Sequence, residues 1–164
     1  ADYDGFSVVS LYVPSGSASE ERQQRKFAFL DQLFEQFEQL RKEPREFIIC
    51  ADWNICHRQI DLKNWRSNQN NAGFLPIERE WFAAIVSPRT LVDVIRGLHP
   101  DVDGPYSWWS WRGKAFDSDA GWRIDYQLAT PQLARSAVVG GTDKDASYDT
   151  RISDHAPVVV DYQP

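Results

Sequence analysis

Four polar residues stand out because they combine metal-binding and proton-transferring side chains at the ends of apolar segments. Asp52 and Asn54 directly follow one apolar run, and Asp154 and His155 shortly precede another. Polar side chains at the end of a buried strand are held rigidly at the rim of a sheet, where open α/β folds bind ligands. Carboxylate and amide oxygens suit a hard divalent cation, and an imidazole can carry a proton or contact a phosphate. This combination predicts metal-assisted cleavage of a phosphodiester.

A third carboxylate, Asp125, lies inside an apolar stretch over residues 122–129. A charge in a strand interior is costly unless it is paired, so we expect Asp125 to have a partner. Taken alone, an Asp-x-Asn sequence is equally consistent with the start of a turn. A Ser-Asp-His sequence alone is often only a surface loop. Three polar clusters at sheet ends in one small domain are hard to explain as turns, which favours a common site.

The elements that must position these residues follow from the hydrophobic pattern. Apolar side chains three and four apart predict an amphipathic helix over residues 20–42, with a capping box of Ser17 and Glu20 at its start. Strands are predicted before and after it, at 6–13 and 46–51, and the strand–helix–strand order favours parallel pairing.

A long polar connection follows at residues 53–75, and a second helix is predicted at 76–86 because Pro76 suits a first helical turn. Loops of this length are usually functional or disordered. The large side chains of Trp65 and Phe74 favour an ordered, functional loop. Further short strands are predicted at 106–111, 122–129, 135–139 and 157–163.

The aromatic stretch from Tyr106 to Trp111 has two interpretations. Strand alternation would place Trp109 and Trp111 on one face and Tyr106 and Trp108 on the other, so that one set packs in the core. Alternatively, some of these rings form a stacking surface for a base or sugar, and Trp122 has the same two interpretations. The candidate substrate-binding residues, which add two nearby cations, are Trp109, Trp122, Arg112 and Lys114.

Composition bounds the function. The 164 residues suffice for one folded domain, and the net charge of −6 counts against nucleic-acid binding by broad electrostatics, but not against a nuclease with local contacts. No apolar run is long enough for a membrane span, and no leader peptide is visible. Cys50 and Cys56 lack zinc-site spacing and are expected to be reduced, which favours a cytoplasmic protein. Because the chain begins with Ala1 and contains no Met, we expect a fragment of a longer protein.

The chain resembles exodeoxyribonuclease III and the related abasic-site endonucleases of the endonuclease–exonuclease–phosphatase superfamily. The resemblance covers almost the whole chain. The motifs that carry it are Leu11-Tyr-Val-Pro-Ser-Gly16, Ala51-Asp-Trp-Asn-Ile55, Asp61-Leu-Lys-Asn-Trp65, Gly73-Phe-Leu-Pro-Ile-Glu-Arg-Glu-Trp81, Tyr106-Ser-Trp-Trp109, Gly121-Trp-Arg-Ile-Asp-Tyr126 and Ser153-Asp-His-Ala-Pro157. It implies an α/β fold, namely the C-terminal part of a four-layer, DNase I-like α/β sandwich with a mixed sheet and flanking helices.

The resemblance also implies roles for individual residues. Asp52 would activate or position the attacking water, while Asn54, His155 and Tyr12 would contact the scissile phosphate. Asp125 would orient His155, which supplies the partner that its burial requires. The cofactor would be Mg²⁺, with Mn²⁺ able to replace it, and the metal-binding residues would be Asp52, Asn54 and Asp154.

Two functions are compatible with this scaffold. The first is a divalent-metal-dependent phosphodiesterase of base-excision repair that cleaves double-stranded DNA at abasic sites and from 3′ ends. The second is a non-catalytic, RNA-level regulator like the catabolite repression control protein. A regulator has no need to keep all five polar site residues, so the nuclease is favoured.

Members of the family carry a further N-terminal segment with a metal-binding Glu, for which residues 1–164 hold no equivalent. We therefore expect a single domain that lacks this segment. The parent protein is expected to be monomeric, and the 164-residue chain alone to bind Mg²⁺ weakly and to self-associate.

Overall fold

The computed structural model describes residues 1–163, and its strands lie in two sheets. The larger sheet contains β1 (Phe6–Tyr12), β2 (Glu46–Asp52), β3 (Val92–Asp93) and β4 (Asp125–Ala129), in the order β1-β2-β4-β3. The strands β1 and β2 pair in parallel, whereas β2 and β3 both pair antiparallel to β4. The second sheet is an antiparallel pair of β5 (Ala137–Thr142) and β6 (Val158–Tyr162).

The crossover between the parallel strands is helix α1 (Glu20–Leu40). Its N-cap is Ser19, whose side chain accepts a hydrogen bond from the Arg22 amide, so the predicted capping box at Ser17 is wrong. Glu20 lies in the first turn and not at the third helical position that such a box requires. The predicted span was otherwise right to within two residues at the C-terminus.

Helices α1 and α2 (Pro76–Ile85) cover one face of the larger sheet. Side chains from both helices and from β2 and β4 form the central core, which includes Leu30, Ile49, Phe82 and Leu128. Two shorter helices, α3 (Val94–Leu98) and α4 (Pro131–Arg135), flank β4 and β5. The mixed sheet with flanking helices that the sequence predicted is confirmed.

The long connection at 53–75 is ordered, as predicted, with short 3-10 turns at Gln59–Asp61 and Trp65–Asn68. A buried ion network holds its first half against the rest of the molecule: Asp61 contacts Arg96 and Arg123, and Arg123 also contacts Asp93. Each of these four side chains is at most 6% exposed, so their charges are compensated inside the protein.

The strand predicted at 106–111 does not form. Only Trp108 makes bridges there, to Trp122 and to His155, and its neighbours follow an irregular path. The alternation that assigned faces to Tyr106, Trp109 and Trp111 therefore does not apply. No helix within residues 1–163 is long and apolar enough to cross a membrane.

Candidate active site

One end of the larger sheet aligns three of the expected site residues. Tyr12 is the register partner of Asp52 in the parallel pair, and Asp52 is the register partner of Asp125 in the antiparallel pair. Directly opposed residues project from the same face of a sheet. The side chains of Tyr12, Asp52 and Asp125 therefore lie in a row across three strands.

His155 completes this row from the loop before β6. Its Nδ1 lies 2.9 Å from Oδ2 of Asp125, so the partner expected for the mid-chain carboxylate is present. The bridge between His155 and Trp108 fixes the backbone of the histidine. The hydrogen bond to Asp125 raises the pKa of His155, while partial burial opposes this effect. The imidazolium form of His155 is thus favoured beside the two carboxylates.

Burial and the neighbouring charge of Asp125 raise the pKa of Asp52 to about 6. Hydrogen bonding to Asn54 works in the opposite direction: the Asn54 amide donates to Oδ1 of Asp52 at 2.8 Å, and its Nδ2 lies 3.0 Å from Oδ2. A carboxylate whose pKa lies slightly below neutral pH is ionised at pH 7 and still basic enough to accept a proton. Asp52 therefore has the properties of a general base.

Asn54 adopts a left-handed backbone conformation, with φ of +50°. The residue between it and Asp52 explains how the turn is anchored: Trp53 is fully buried and packs edge-on against Phe82, with ring centroids 5.2 Å apart. Nδ2 of Asn54 also donates to the carbonyl oxygen of Val13 at 2.9 Å, which ties the turn to the end of β1. The side chains of Asp52 and Asn54, on either side of Trp53, are therefore held in place by the residues around this turn.

Asp154 is linked to the site by a hydrogen bond with the side chain of Trp108. Its Oδ2 accepts a hydrogen bond from Nε1 of Trp108 at 2.9 Å, which orients the carboxylate. Trp108 was not among the candidate substrate-binding residues, although it belongs to the aromatic stretch for which a stacking surface was one of the two interpretations. The residues around Trp108 in the sequence give no indication of its contact with Asp154, which lies 46 residues away.

A cavity of about 890 Å³ opens beside the cluster, between the Ser15–Glu20 segment and the loop that carries Trp108. Its lining includes Asn54, His155 and two rings, Trp108 and Trp122, whose centroids lie 6.2 Å apart at nearly perpendicular angles. Arg112 also lines the cavity. Two of the predicted substrate-binding residues, Trp122 and Arg112, thus lie at the cavity.

The other two predicted substrate-binding residues, Trp109 and Lys114, do not line the cavity. Trp109 is 2% exposed, packs against Phe116 and donates from Nε1 to Asp119, so it has the core role of the two alternatives. Lys114 lies in an exposed turn after Arg112 and does not line the cavity. The prediction that these two side chains bind substrate has no support in this geometry.

The donors at the sheet edge fit a divalent cation. Within residues 1–163, ligand atoms of Asp52, Asp125 and His155 lie within 4.8 Å of one another. Two adjacent carboxylates that repel each other would be relieved by a cation, and oxygen donors of this kind suit Mg²⁺. Asp154 lies outside this group of three, so the ligand set of Asp52, Asn54 and Asp154 implied by resemblance stays a prediction.

Behind Asn54 lies a pair that we did not predict from the sequence. Lys26 of α1 and Glu78 of α2 are fully buried, and Nζ of Lys26 lies 2.5 Å from Oε1 of Glu78. A signal was present, since Lys26 precedes Leu30 by four residues and so occupies the apolar stripe of α1. A lysine on a buried stripe requires a buried acid, but the pattern does not say which one.

The comparisons with known proteins agree with this geometry. The model of the Endonuclease/Exonuclease/phosphatase family matches residues 2–155. An exodeoxyribonuclease of Bacillus subtilis is 37% identical over 157 residues, which are 96% of this chain and 60% of that protein. The DNA repair nuclease APEX1 of Danio rerio is 32% identical over 161 residues, or 98% of this chain and 50% of the relative.

Solved structures are similar over the same range. An AP endonuclease from Archaeoglobus fulgidus superposes with a TM-score of 0.84 at 29% identity, covering 96% of this chain and 61% of that structure. The 3′ phosphatase NExo from Neisseria, bound to a product DNA hairpin, gives a TM-score of 0.85 at 25% identity, covering 97% and 62%. The chain thus spans half to three fifths of the length of these relatives.

Proposed function

The chain belongs to the endonuclease/exonuclease/phosphatase family, and from this premise we propose that it carries the phosphate-cleaving site of a DNA repair phosphodiesterase. The reaction is hydrolysis of a DNA backbone phosphodiester at abasic sites and from 3′ ends. The observation that carries the proposal is the register pairing of Asp52 with Asp125, together with the hydrogen bond that Nδ1 of His155 donates to Asp125. It supports a base, Asp52, close to a positively charged imidazole, His155, that can bind a phosphate oxygen.

In this proposal Asp52 positions the attacking water and accepts its proton. Its pKa of about 6 leaves it ionised at neutral pH. Asn54 holds the carboxylate in place through its backbone amide and contacts a phosphate oxygen. His155, whose Nδ1 is engaged by Asp125, presents Nε2 to the phosphate. Because its pKa is raised, this nitrogen can act as a charged hydrogen-bond donor to an oxyanion.

The cofactor of this proposal is Mg²⁺, which Mn²⁺ can replace. Asp52, Asn54 and Asp154 are the proposed ligands, and Asp125 is close enough to Asp52 to add its charge to the site. When bound, the cation neutralises negative charge on the phosphate and lowers the pKa of water. Tyr12, at the exposed end of the row, is proposed to contact a phosphate oxygen.

The proposed substrate is double-stranded DNA with an abasic site or a 3′ end, and the proposed location is the cytoplasm. The walls of the cavity support a nucleic-acid substrate, because Trp108 and Trp122 offer aromatic surface to a sugar or base. Arg112 adds a positive charge at the cavity in a chain whose net charge is negative. Such a site binds DNA by local contacts rather than by a broad basic surface.

Substitution of Asp52 tests the function directly. Asp52→Asn should reduce cleavage of abasic-site DNA about 10²–10⁴-fold, because a positioned general base typically contributes this much. DNA affinity should change little, since the remaining side-chain oxygen can still accept the hydrogen bond from the Asn54 backbone amide. Asp31→Asn is the matched control, because Asp31 is an exposed aspartate on α1.

Turnover should be measured with excess substrate and Mg²⁺, and binding should be measured separately with EDTA. Cleavage by Asp52→Asn at the rate of the unaltered protein would contradict the role of Asp52. Tight DNA binding by an unaltered protein that cleaves neither abasic sites nor 3′ ends would favour the non-catalytic alternative.

A further inference from the structure

The Lys26–Glu78 pair lies directly behind the turn that carries Asn54. Nζ of Lys26 donates to two acceptors, Oε1 of Glu78 at 2.5 Å and the carbonyl oxygen of Asn54 at 2.8 Å. Both side chains of the pair are fully excluded from solvent. Because an isolated buried ammonium is strongly unfavourable, its position is determined by these acceptors.

Glu78 is fixed from the opposite side. Its Oε2 accepts hydrogen bonds from the amides of Gly73 and Leu75, at 2.7 and 3.0 Å, and its Oε1 accepts one from Nε2 of Gln23. The carboxylate therefore joins α1, the start of α2 and the end of the long loop. It holds the ammonium of Lys26 at a fixed point in the interior.

The backbone of Asn54 is enclosed between this pair and Gly73. A Cβ at Gly73 would lie 3.1 Å from the Asn54 carbonyl oxygen, which shows how closely the loop approaches. Asn54 has a left-handed conformation, which asparagine adopts more readily than most other non-glycine residues but which still favours a backbone that is stabilised by its surroundings. The ammonium of Lys26 supplies that stabilisation by binding the carbonyl oxygen.

We propose that Lys26, held by Glu78, is a positioning residue that keeps Asn54 in the conformation in which it binds the Asp52 carboxylate. Lys26 does not touch substrate, and it acts through the Asn54 carbonyl. The same Asn54 that accepts from Lys26 donates to both oxygens of Asp52. This inference rests on the proposed function for its effect on cleavage, but not for its effect on the conformation of Asn54.

The test is a double variant, Lys26→Met with Glu78→Gln, which removes both buried charges together. The Glu78→Gln change keeps a side-chain carbonyl oxygen for the amides of Gly73 and Leu75. The amide that it introduces can donate to Oε1 of Gln23, which is buried without a hydrogen-bond partner within residues 1–163. The double variant therefore keeps the contacts of position 78 with Gln23, Gly73 and Leu75, while it removes the donor to Asn54 together with the direct contact between positions 26 and 78.

We expect the double variant to lose at least ten-fold in kcat on abasic-site DNA, with KM changed less than about two-fold. Leu30→Ala is the matched control: it destabilises the same helix one turn further on, through a purely apolar side chain in the core. This control should lower the melting temperature at least as much and leave kcat at the unaltered value, measured where both variants are folded. A double variant with unaltered kcat would overturn the proposal.

A second measurement does not depend on activity. The structure of the double variant, or its NMR spectrum, should show Asn54 leaving the left-handed conformation and its side-chain amide leaving Asp52. If the unaltered protein does not cleave DNA but Asn54 rearranges as stated, the positioning role stands and the proposed substrate is wrong. If Asn54 is unchanged, the pair only joins the two helices and the proposal fails.

The single variant Glu78→Gln keeps the inference testable if the double variant does not fold. Without the charge of Glu78, burial favours the neutral amine of Lys26, which can still donate a hydrogen bond to the Asn54 carbonyl oxygen, so Asn54 should keep its conformation and kcat should fall less than three-fold. A single variant in which Asn54 rearranges while Lys26 still contacts its carbonyl would overturn the proposal.

Discussion

Arg123 and Asp125 are two residues apart in the chain, yet they belong to two ionic clusters of opposite character. Arg123 lies in the buried ion network, where it binds Asp61 and Asp93 over distances of 2.6 to 3.0 Å. Asp125 faces the like charge of Asp52, and its partner His155 is one third exposed. In the cluster of Arg123, the closed cluster, the positive and negative charges balance and are buried. In the cluster of Asp125, the open cluster, the negative charges are only partly balanced, and the cluster is open to a cavity.

The pKa values record this difference. Burial tends to raise the pKa of Asp61, but the charge and hydrogen bonds of Arg123 outweigh it and lower that pKa. The pKa of Asp52 is raised to about 6, because burial and the charge of Asp125 outweigh the opposing effects of Asn54, His155 and Lys26. Charges that stabilise the fold are paired internally, whereas those at the cavity remain available to a cation and a phosphate. Burial raises the pKa of both carboxylates, so the charges that neighbour each one, and not burial alone, make Asp52 differ from Asp61.

The largest effect on cleavage is expected when the hydrogen bond between Asp125 and His155 is removed. Asp125→Asn should lower cleavage of abasic-site DNA about 10²–10⁴-fold, since His155 loses both its orientation and its charge stabilisation. The pKa of His155 should fall, because its hydrogen bond to Asp125 is the main cause of the upward shift. Steady-state kinetics and an NMR titration of the His155 ring protons measure the two effects. A variant with an unchanged His155 titration would contradict the assignment of Asp125 as its partner.

The closed cluster should respond in stability and not in chemistry. Asp61→Asn leaves Arg123 paired only with Asp93 and removes the one carboxylate that the Arg96 guanidinium contacts within residues 1–163. It should cost about 3–5 kcal/mol in the free energy of unfolding, as is typical when one partner of a buried ion pair is removed. Cleavage per folded molecule should be unchanged. Urea unfolding and active-site-normalised kinetics give both values.

The matched control for this prediction is Asp119→Asn. It breaks a salt bridge to Lys144 of similar length, 2.8 Å, in which the Asp119 side chain is 55% exposed. Exposed pairs contribute about 0–1 kcal/mol, so the control should be nearly neutral. Equal losses from the two variants would show that burial of the network does not matter.

The open cluster should make the protein less stable as pH rises. The folded-state pKa of Asp52 is raised from 3.8 to about 6, so the folded state holds a proton that the unfolded state has released. Its favourable contribution is therefore complete below about pH 4 and is lost as pH rises through about 6. In metal-free buffer at pH 7, Asp52→Asn should raise the free energy of unfolding by about 1–3 kcal/mol, and this gain should vanish near pH 4.

Urea unfolding at several pH values in EDTA measures this difference. Addition of Mg²⁺ should reverse the order, because the cation stabilises only the protein with the ionised carboxylate. If Asp52→Asn raises the free energy of unfolding by the same amount at every pH between 4 and 7, repulsion between Asp52 and Asp125 is not the cause of the gain.

Much of the fold was predictable because its signals are local. The periodicity of α1, the apolar runs of β1 and β2 and Pro76 at the start of α2 depend only on residues close in sequence, and the predicted boundaries lie within two residues of the observed ones. The irregular stretch around Trp108 was not predictable. Its conformation is set by contacts with Trp122 and Asp154, which lie 14 and 46 residues away, so alternation gave a wrong strand there.

The sequence by itself determined which side chains could perform the chemistry. Asp52, Asn54, Asp125, Asp154 and His155 were identifiable because each adjoins an apolar strand, and strand ends lie at the rim of a sheet. A pairing between Asp125 and His155 was expected and is present at 2.9 Å. The choice of side chains needed only residue types and local pattern, whereas the pairing of Asp125 with His155 in particular was implied by the family resemblance.

Only the tertiary structure decided how those side chains act on one another. The register that opposes Asp52 to Asp125, the burial of Trp109 and the contact of Lys26 with Glu78 across 52 residues depend on where distant segments meet. A pattern along the chain specifies which face of an element is apolar, but not which element it will contact. The electrostatic environment of a group is set by those contacts, because Coulomb interactions depend on distance in space and on burial rather than on separation in sequence.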